Sequence, residues 1–561
     1  MIQKKKKDTL YFLKFIQCLR GSRIWNYLKK YKNMALTMSN SNNSVSVLSN
    51  EENVINRGVK ISIVVPLYNT PKLYLIQMLD SVIHQTYDEW ELCIADASDN
   101  GNEYIVQVIK SYISELESGK IKYKKIDNKG ISENTNHAIE MSTGAFIALL
   151  DHDDVLALNA LSEVNECIVN KDADLIYSDE MIFKDDQVNN VLVYNYKPDY
   201  SVDSLRAVNY ICHLTVFKKS LINVVGMFNS KYDGSQDHDM ILRLTEKADK
   251  VEHISKVLYY WRAHDSSVAK KITSKEYAIE AGKKAVLDSL HRNGLRGDVQ
   301  STVVHPTIYK VNYEIENKDR ILIIINFISS IQELSWCLKK IKKNTKDFSY
   351  DFVILDELGT FEYEDKFNDK VVSSLDDINL KDYRYLIFID SNVQIMNDKW
   401  ANELVMFGQR SDVGVVGGRI SDKKLNCLQN GIILTLNNKN IYMYANNGSR
   451  RFSKGYMNQL YYARNVNAVS SMLLLVSTEK FLEVDGFSKE LTGNYKDIDF
   501  SLKLRKKGYV NVINPYSEGY IYKVYSNRNF DKRQDKFINI KWKNFVGKTD
   551  CYYNCNLMGG N

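Results

Sequence analysis

Short apolar runs alternate along most of the chain with stretches whose apolar residues recur at helical spacing. Residues 61–65 form a β-branched run that is typical of a buried parallel strand. Apolar positions in 73–85 predict a helix, strands are predicted at 90–96 and 145–150, and a further helix is predicted at 134–141. This alternation predicts an α/β fold with a mostly parallel, Rossmann-like sheet.

The same pattern occurs a second time in the carboxyl-terminal half. Residues 321–325 repeat the run at 61–65, and Asp356 lies 260 positions after Asp96. The segment around Asp497 repeats the segment around Asp237 at the same interval. The sequence therefore predicts two tandem domains of one fold.

The length of 561 residues also exceeds the size at which a single hydrophobic core stops growing. The predicted division is a basic arm and polar tether at 1–58, a first domain at 59–300, a linker at 301–319, a second domain at 320–530 and a tail at 531–561. The linker follows a helix that is predicted at 274–293.

Composition narrows the class of protein. The hydrophobic fraction of 44% and the charged fraction of 26% are those of a globular chain, which excludes a disordered or fibrous protein. Eight cysteines without a CxxC pair predict reduced thiols, and no apolar run is long enough to predict a membrane span. The absence of a signal peptide pattern predicts a cytoplasmic location.

The net charge of +6 comes from the amino-terminal arm. Residues 1–32 hold ten Lys or Arg and one acid, so the remaining chain is slightly acidic and nucleic acid is not an expected partner. Phe12, Phe15, Ile16 and Leu19 give the arm an apolar face at helical spacing. A basic amphipathic helix predicts attachment to an anionic membrane surface, here the inner face of the cell membrane. The alternative is a helix that packs on its own domain.

Acidic residues follow the predicted strands of the first domain. Asp151, Asp153 and Asp154 come directly after the strand at 145–150, Asp96 ends the strand at 90–96, and Asp237 precedes an amphipathic stretch. Ligands bind at the carboxyl ends of parallel strands, and carboxylates at i and i+2 can hold Mg²⁺ or Mn²⁺. The set predicts a metal-assisted transfer to a hydroxyl, with one Asp as the general base. A solvated acidic loop is the alternative.

These motifs resemble the family 2 glycosyltransferases of the GT-A fold. The matching segments are IVVPLYNT (63–70), NKGISENTNHAI (128–139), ALLDHDD (148–154), VVGMF (224–228), GSQDHDMILRL (234–244) and YWRAH (260–264). The resemblance covers 60–270 closely and 320–525 more loosely. It implies a metal-dependent, inverting hexosyltransferase that moves a sugar from a UDP- or dTDP-sugar to a glycan hydroxyl. The implied acceptor is lipid-linked or protein-linked, in bacterial cell-surface polysaccharide (capsule or O-antigen) or glycoprotein glycan synthesis.

The resemblance also implies roles for single residues. The residues that it assigns to the nucleotide-sugar site are Pro66, Asn69, Asp96, Asn128, Asp151 and Asp153. Asp96 would bind the uracil or thymine edge, Asp153 and His264 would hold Mn²⁺ or Mg²⁺ with Asp151 nearby, and Asp237 would be the catalytic base. The alternatives are a solvated Asp96, a helix-capping role for Asp154 and a buried core role for His264.

The second copy departs from this pattern. Asp390-Ser391-Asn392 stands where Asp151-His152-Asp153 stands in the first copy, and the segment 520–523 has no histidine. One carboxylate and the late histidine are therefore missing, which predicts a degenerate domain that binds acceptor glycan or a partner. The alternatives are a second active transferase, which would make the enzyme bifunctional, and a non-catalytic glycan-binding scaffold. The chain has no GxGxxG or P-loop after its first strand, which excludes a dehydrogenase and a P-loop enzyme.

Overall fold

The computed structural model of this chain describes residues 58–263, 276–357, 359, 361–363, 370–435, 441–523, 531–547 and 549–558. The predicted arm at 1–57 and His264 lie outside the described residues. From Val59 onward the chain forms one compact unit. None of the helices in the described ranges has both the length and the apolar character that a bilayer crossing requires.

The first domain is a nine-stranded sheet with helices packed against it. Its strands are β1 Ile61–Leu67, β2 Trp90–Asp96, β3 Ile121–Lys125, β4 Phe146–Leu149, β5 Val155–Leu156, β6 Leu175–Lys184, β7 Gln187–Asn195, β8 Thr215–Lys218 and β9 Val251–Ala263. Its helices are α1 Lys72–Ile83, α2 Tyr104–Lys110, α3 Ile113–Glu117, α4 Ile131–Glu140, α5 Ala160–Lys171, α6 Val202–Ala207, α7 Ile222–Val225, α8 Gln236–Thr245 and α9 Glu276–Arg292. Every residue of β1 is buried, as its apolar run predicts, and every residue of β2 is buried too, including Glu91 and Asp96.

A hairpin, a ten-stranded sheet and a second two-stranded sheet, formed by the strands numbered β19 and β20 below, follow. The strands are β10 Gly297–Ser301, β11 Tyr309–Tyr313, β12 Ile321–Phe327, β13 Tyr350–Leu355, β14 Val371–Val372, β15 Tyr385–Asp390, β16 Val393–Ile395, β17 Val413–Asp422, β18 Cys427–Gln429, β19 Ile432–Leu434, β20 Tyr442–Tyr444, β21 Arg464–Val466, β22 Leu473–Ser477 and β23 Val510–Ile521. The helices are α10 Ile331–Asn344, α11 Trp400–Gly408, α12 Thr478–Glu483, α13 Asn494–Lys506 and α14 Lys532–Val546.

The two sheets share one topology, which confirms the predicted duplication. The strand order β3-β2-β1-β4-β8-β6-β9-β5 in the first domain becomes β14-β13-β12-β15-β22-β17-β23-β16 in the second. The register also repeats, because Ile61 lies opposite Phe146 on β4 while Ile321 lies opposite Tyr385 on β15. Counting along those strands, the residue that corresponds to Asp151 is Asp390.

The α/β fold class is confirmed, but each sheet is mixed in strand direction. In the first domain β1 pairs in parallel with β2 and β4, and β2 pairs in parallel with β3. Beyond them β8 runs antiparallel to both β4 and β6. The parallel half of the sheet is the half that carries the predicted strand-end residues.

The predicted linker at 301–319 contains a strand. β11 pairs antiparallel with β10, so that Gly297 lies opposite Tyr313, and this hairpin spans the predicted boundary at residue 300. A buried polar interface joins the two domains beside it. Arg410 Nη1 donates to Asp203 Oδ1 at 2.5 Å, and Asn465 Nδ2 donates to Asp203 Oδ2 at 2.8 Å. Removing one partner of a buried ion pair of this kind costs about 3–5 kcal/mol, since the other partner would be left as an uncompensated charge.

The predicted tail at 531–561 contributes to both domains. Trp542 of α14 is buried and donates from Nε1 to Asp499 Oδ1 of the second domain at 2.8 Å. Asn554, further along, donates from Nδ2 to Asp179 Oδ1 at 2.9 Å and to the Lys197 carbonyl at 2.8 Å, both in the first domain. The described part of this segment therefore bridges the two sheets.

Candidate active site

Asp96 ends β2 with its carboxylate buried. Oδ1 accepts from the Ser98 N–H at 2.9 Å, and Oδ2 accepts from the Tyr123 hydroxyl at 2.7 Å and from Lys125 Nζ at 3.3 Å. Burial by itself raises the pKa of Asp96, but the hydrogen bonds from Ser98 and Tyr123 outweigh it and leave the pKa below its ordinary value. Asp96 is therefore a fixed anion, and the alternative of a solvated side chain is wrong.

Asn69 organises the loop that follows β1. It has a positive φ of 50°, a conformation that asparagine adopts more easily than most residues. Its backbone N–H donates to Ser98 Oγ at 2.8 Å, and its Nδ2 donates to Asp99 Oδ2 at 2.7 Å. Pro66, by contrast, is buried within β1 opposite Ala95.

Asn128 shapes the turn that leads into α4. Its Oδ1 accepts from the Gly130 N–H at 3.1 Å and from Asn134 Nδ2 at 3.0 Å. Gly130 has a φ of 96°, and a Cβ there would lie 2.8 Å from Asp233 Oδ2. Only glycine suits this position, which brings the turn close to the segment before α8.

Asp154 is held by β9 and caps no helix. Its Oδ2 accepts from the Tyr259 hydroxyl and its Oδ1 accepts from the Arg262 N–H, both at 2.7 Å. Burial, followed by the charges of Asp153 and Asp151, raises the pKa of Asp154 well above its ordinary value. The predicted N-cap role is wrong because the short strand β5 follows Asp154, and α5 begins only at Ala160.

Asp151 and Asp153 occupy the same turn with more exposed side chains. The Asp151 side chain is 51% exposed, and its Oδ2 lies 3.4 Å from His213 Nε2. The Asp153 carbonyl accepts from Arg262 Nε at 2.5 Å. The Arg262 guanidinium is itself buried against the Tyr74 ring, 4.1 Å from its centroid. Arg262 of β9 thus fixes the backbone of the turn, while the Asp151 carboxylate reaches solvent.

Asp237 lies in the first turn of α8. Gln236 Nε2 donates to its Oδ2 at 3.0 Å. Burial, followed by the negative charge of Asp151, raises the pKa of Asp237 to about 6, although His213 and Gln236 partly offset this. The fold therefore brings Asp151 and Asp237 into one site, and gives Asp237 the pKa of an effective base near neutral pH.

The structure adds His213, which the sequence analysis missed. Its backbone N–H donates to Glu180 Oε2 at 2.7 Å, and its ring stacks on Tyr259 with centroids 4.7 Å apart. Burial lowers the pKa of His213, but interactions with Cys212, Asp151 and Glu180 outweigh it and raise the pKa well above its ordinary value. No motif marks this histidine, since its partners lie in distant segments of the chain.

Within the described ranges, no three His, Cys, Asp or Glu side chains are grouped to hold a metal ion. The predicted ligand His264 lies outside those ranges. Asp151 and Asp153 nevertheless supply two hard oxygen donors on one turn. Mg²⁺ and similar ions are commonly held by one or two carboxylates together with water and substrate phosphates. The donor set fits a divalent cation on this ground.

The corresponding residues of the second domain form a different environment. Asp356 is buried and accepts from the Tyr363 hydroxyl at 3.0 Å, much as Asp96 accepts from Tyr123. Asp497 lies in the first turn of α13, buried, and its Oδ2 accepts from the Ser471 N–H at 3.0 Å. The position of Asp153 is taken by Asn392. The second site keeps its framework but has an amide in place of one carboxylate.

Residues 62–226 match the family model described as Glycosyl transferase family 2. The first domain therefore contains a glycosyl transferase family 2 segment, in agreement with the motifs that it carries. The matched segment includes Asp96, Asp151, Asp153 and His213, and it ends shortly before Asp237.

Relatives of known sequence extend over both domains. The chain is 31% identical over 537 residues to the uncharacterized protein y4gI of Sinorhizobium fredii, across 90% of this chain and 58% of that protein. It is 24% identical over 477 residues to the O-antigen biosynthesis protein RfbC of Myxococcus xanthus, across 81% of this chain and 36% of that protein. The chain thus spans 58% and 36% of the lengths of these two relatives. Among solved structures, S. aureus TarS 1–349 in complex with UDP-GlcNAc is similar with a TM-score of 0.34 and 17% identity, across 41% of this chain and 66% of that one.

Proposed function

We propose that the first domain is a glycosyltransferase that moves a hexose from a UDP- or dTDP-sugar to a hydroxyl of a growing glycan, with inversion. The observation that carries the proposal is Asp237, a base with a pKa of about 6 that lies within the electrostatic reach of Asp151. The family 2 match over the same domain supports the reaction class. The resemblance to an O-antigen biosynthesis protein supports bacterial surface polysaccharide or glycoprotein glycan as the product.

In this mechanism Asp237 accepts the proton of the acceptor hydroxyl as its oxygen attacks the anomeric carbon. Attack from the face opposite the diphosphate breaks the sugar–phosphate bond in one step and inverts the anomeric configuration. Gln236, which donates to the Asp237 carboxylate, keeps this carboxylate oriented. Asp96, a fixed anion, accepts from the ring N–H of uracil or thymine, which the two bases share.

Asp153 and Asp151, with His264, would hold Mn²⁺ or Mg²⁺ beside the diphosphate. A divalent cation bound there supplies positive charge that stabilises the departing nucleotide diphosphate. Arg262 and Tyr259 support this site, because their hydrogen bonds fix the backbone of the turn and the neighbouring Asp154. The two metal-binding carboxylates therefore come from a rigid turn.

The decisive experiment is a donor screen with purified protein, Mn²⁺ and individual nucleotide sugars, with and without a crude membrane acceptor. We expect nucleotide release from a UDP- or dTDP-sugar that rises when acceptor is added and falls in the Asp237→Asn variant. A scaffold without activity would release no nucleotide from any donor. A bifunctional enzyme would add two different sugars, and its Asp497→Asn variant would stop after the first.

A further inference from the structure

The second domain contains a cavity of about 340 Å³ at the position that corresponds to the active site of the first domain. Asp390 and Asn392, at the end of β15, line one side of it, and Asp497 of α13 lines another. Tyr442 and Tyr444 of β20 complete the wall. We propose that this cavity is a binding site for an uncharged saccharide, held without a metal ion. The proposal concerns the second domain alone and does not depend on the reaction of the first.

Two buried amide oxygens in the wall call for a ligand that donates hydrogen bonds. Asn392 is 5% exposed and Gln429 is fully buried. Asn392 Oδ1 and Gln429 Oε1 have no hydrogen-bond partner among the described residues. Leaving a buried acceptor unsatisfied costs about 1–3 kcal/mol, and a hydroxyl-rich ligand that enters the cavity removes this cost. Sugars present many hydroxyl donors on a small surface.

The tyrosines supply rigid apolar surface next to these amides. Asn494 fixes both phenol groups, since its Nδ2 donates to the Tyr442 hydroxyl and its Oδ1 accepts from the Tyr444 hydroxyl, both at 2.8 Å. The two rings meet edge to face with centroids 6.2 Å apart. Ligand sites typically combine aromatic surface with a few fixed polar groups, and a pyranose ring offers both an apolar face and a polar edge.

The charges of the wall disfavour a nucleotide diphosphate. Asp390 and Asp497 are both buried, so their electric field is poorly screened by water. Lys496 is the one cation among the described residues that line the cavity, and its Nζ lies 5.4 Å from the Phe487 ring centroid. Because Asn392 replaces one carboxylate of the metal pair, a divalent ion is also held less well. An uncharged ligand is consistent with all three observations.

The test uses the full chain in EDTA and a panel of uncharged oligosaccharides built from glucose, galactose, mannose, rhamnose or N-acetylglucosamine. Saturation-transfer NMR and isothermal titration calorimetry measure binding to wild type and to Asn392→Leu and Tyr444→Ala. Met443→Ala is the matched control, because Met443 lies on the same strand, is 37% exposed and does not line the cavity. UDP with Mn²⁺ is the competing probe.

We expect at least one oligosaccharide to bind without metal, and to bind at least about tenfold more weakly to Asn392→Leu and to Tyr444→Ala, a change of about 1.4 kcal/mol. Met443→Ala should bind like wild type. The proposal is overturned if no saccharide binds, if binding is equal in all variants, or if UDP with Mn²⁺ binds in a manner that depends on Asn392 while saccharides do not. Nucleotide release by the first domain is measured separately, so its failure would not affect this outcome.

Discussion

At the scale of single residues, the proposed chemistry of the first domain depends on Asp237. We expect Asp237→Asn to retain nucleotide binding and to lower turnover by about 10²–10⁴-fold, since an amide cannot accept the proton of the acceptor hydroxyl. Initial rates and nucleotide affinity, measured on the same preparation, check this. Asp249→Asn is the matched control, because Asp249 is an exposed aspartate on the loop after α8. Normal turnover in Asp237→Asn would remove this residue from the role of base.

The pH dependence of turnover follows from the same residue. Burial is the largest cause that raises the pKa of Asp237 to about 6, and the charge of Asp151 adds to it, so the free base is protonated below that pH. A cation on Asp151 would offset the charge of Asp151, so we expect kcat to rise with pH up to about 6 and to level off by about 7. Rates measured between pH 5 and 8 at saturating donor test this. A kcat that stays constant down to pH 5 would contradict the assignment.

In the proposed mechanism, metal dependence rests on Asp153. We expect EDTA to abolish transfer and added Mn²⁺ or Mg²⁺ to restore it, since the departing diphosphate needs charge neutralisation. Asp153→Ala should weaken nucleotide binding in the presence of Mn²⁺ but leave binding in EDTA unchanged. Calorimetric titration of UDP under both conditions separates the two effects. Undiminished transfer in excess EDTA would show that the metal assignment is wrong.

At the scale of elements, the segment 549–558 stabilises the first domain although it follows the second in sequence. Asn554 Nδ2 donates to both carboxylate oxygens of Asp179, which is fully buried and also lies 2.9 Å from His253 Nε2. We expect Asn554→Ala to lower the free energy of unfolding by about 1–3 kcal/mol, because a buried carboxylate loses a donor.

Thermal and urea unfolding of the full chain measure this loss. Asn223→Ala serves as the matched control, since Asn223 is exposed on α7. Equal stability of Asn554→Ala and wild type would mean that water replaces the lost donor and that the segment is not a stabilising bridge.

At the scale of the whole molecule, the basic amino-terminal arm is predicted to set where the enzyme works. Each Lys or Arg near an anionic leaflet contributes about 1 kcal/mol, and residues 1–32 carry ten. We expect full-length protein to sediment with vesicles that contain anionic phosphatidylglycerol, and protein that lacks residues 1–34 to stay in solution with its transfer to a soluble acceptor intact.

Salt provides the internal control for the arm, because exposed charges are screened over about 8 Å at physiological ionic strength. Binding to the vesicles should weaken as salt rises from 50 to 500 mM. Full-length protein that never sediments with anionic vesicles at low salt would contradict the predicted membrane attachment of the arm.

The sequence by itself determined the α/β class, the duplication and the carboxylates of the candidate site. The fully buried strand β1 is visible locally because β-branched runs have few other stable environments. The sequence predicts Asp96, Asp151 and Asp237 as site residues because strand ends and helix starts are also local features. The interval of 260 residues from Asp96 to Asp356 recurs from Asp237 to Asp497, and this constant interval marks the second copy.

Only the tertiary structure decided which residues from other parts of the chain bind and position these carboxylates. His213 meets Asp151, and Asp154 meets Tyr259 and Arg262, through contacts between segments that are far apart in sequence. The antiparallel pairing of β8 with β4 and the hydrogen bond from Asn554 to Asp179 also join segments that are far apart in sequence. Local periodicity reports which face of an element is buried, but not which distant residue covers it. The raised pKa of Asp237 therefore depends on the fold, which combines burial of this side chain with the nearby charge of Asp151.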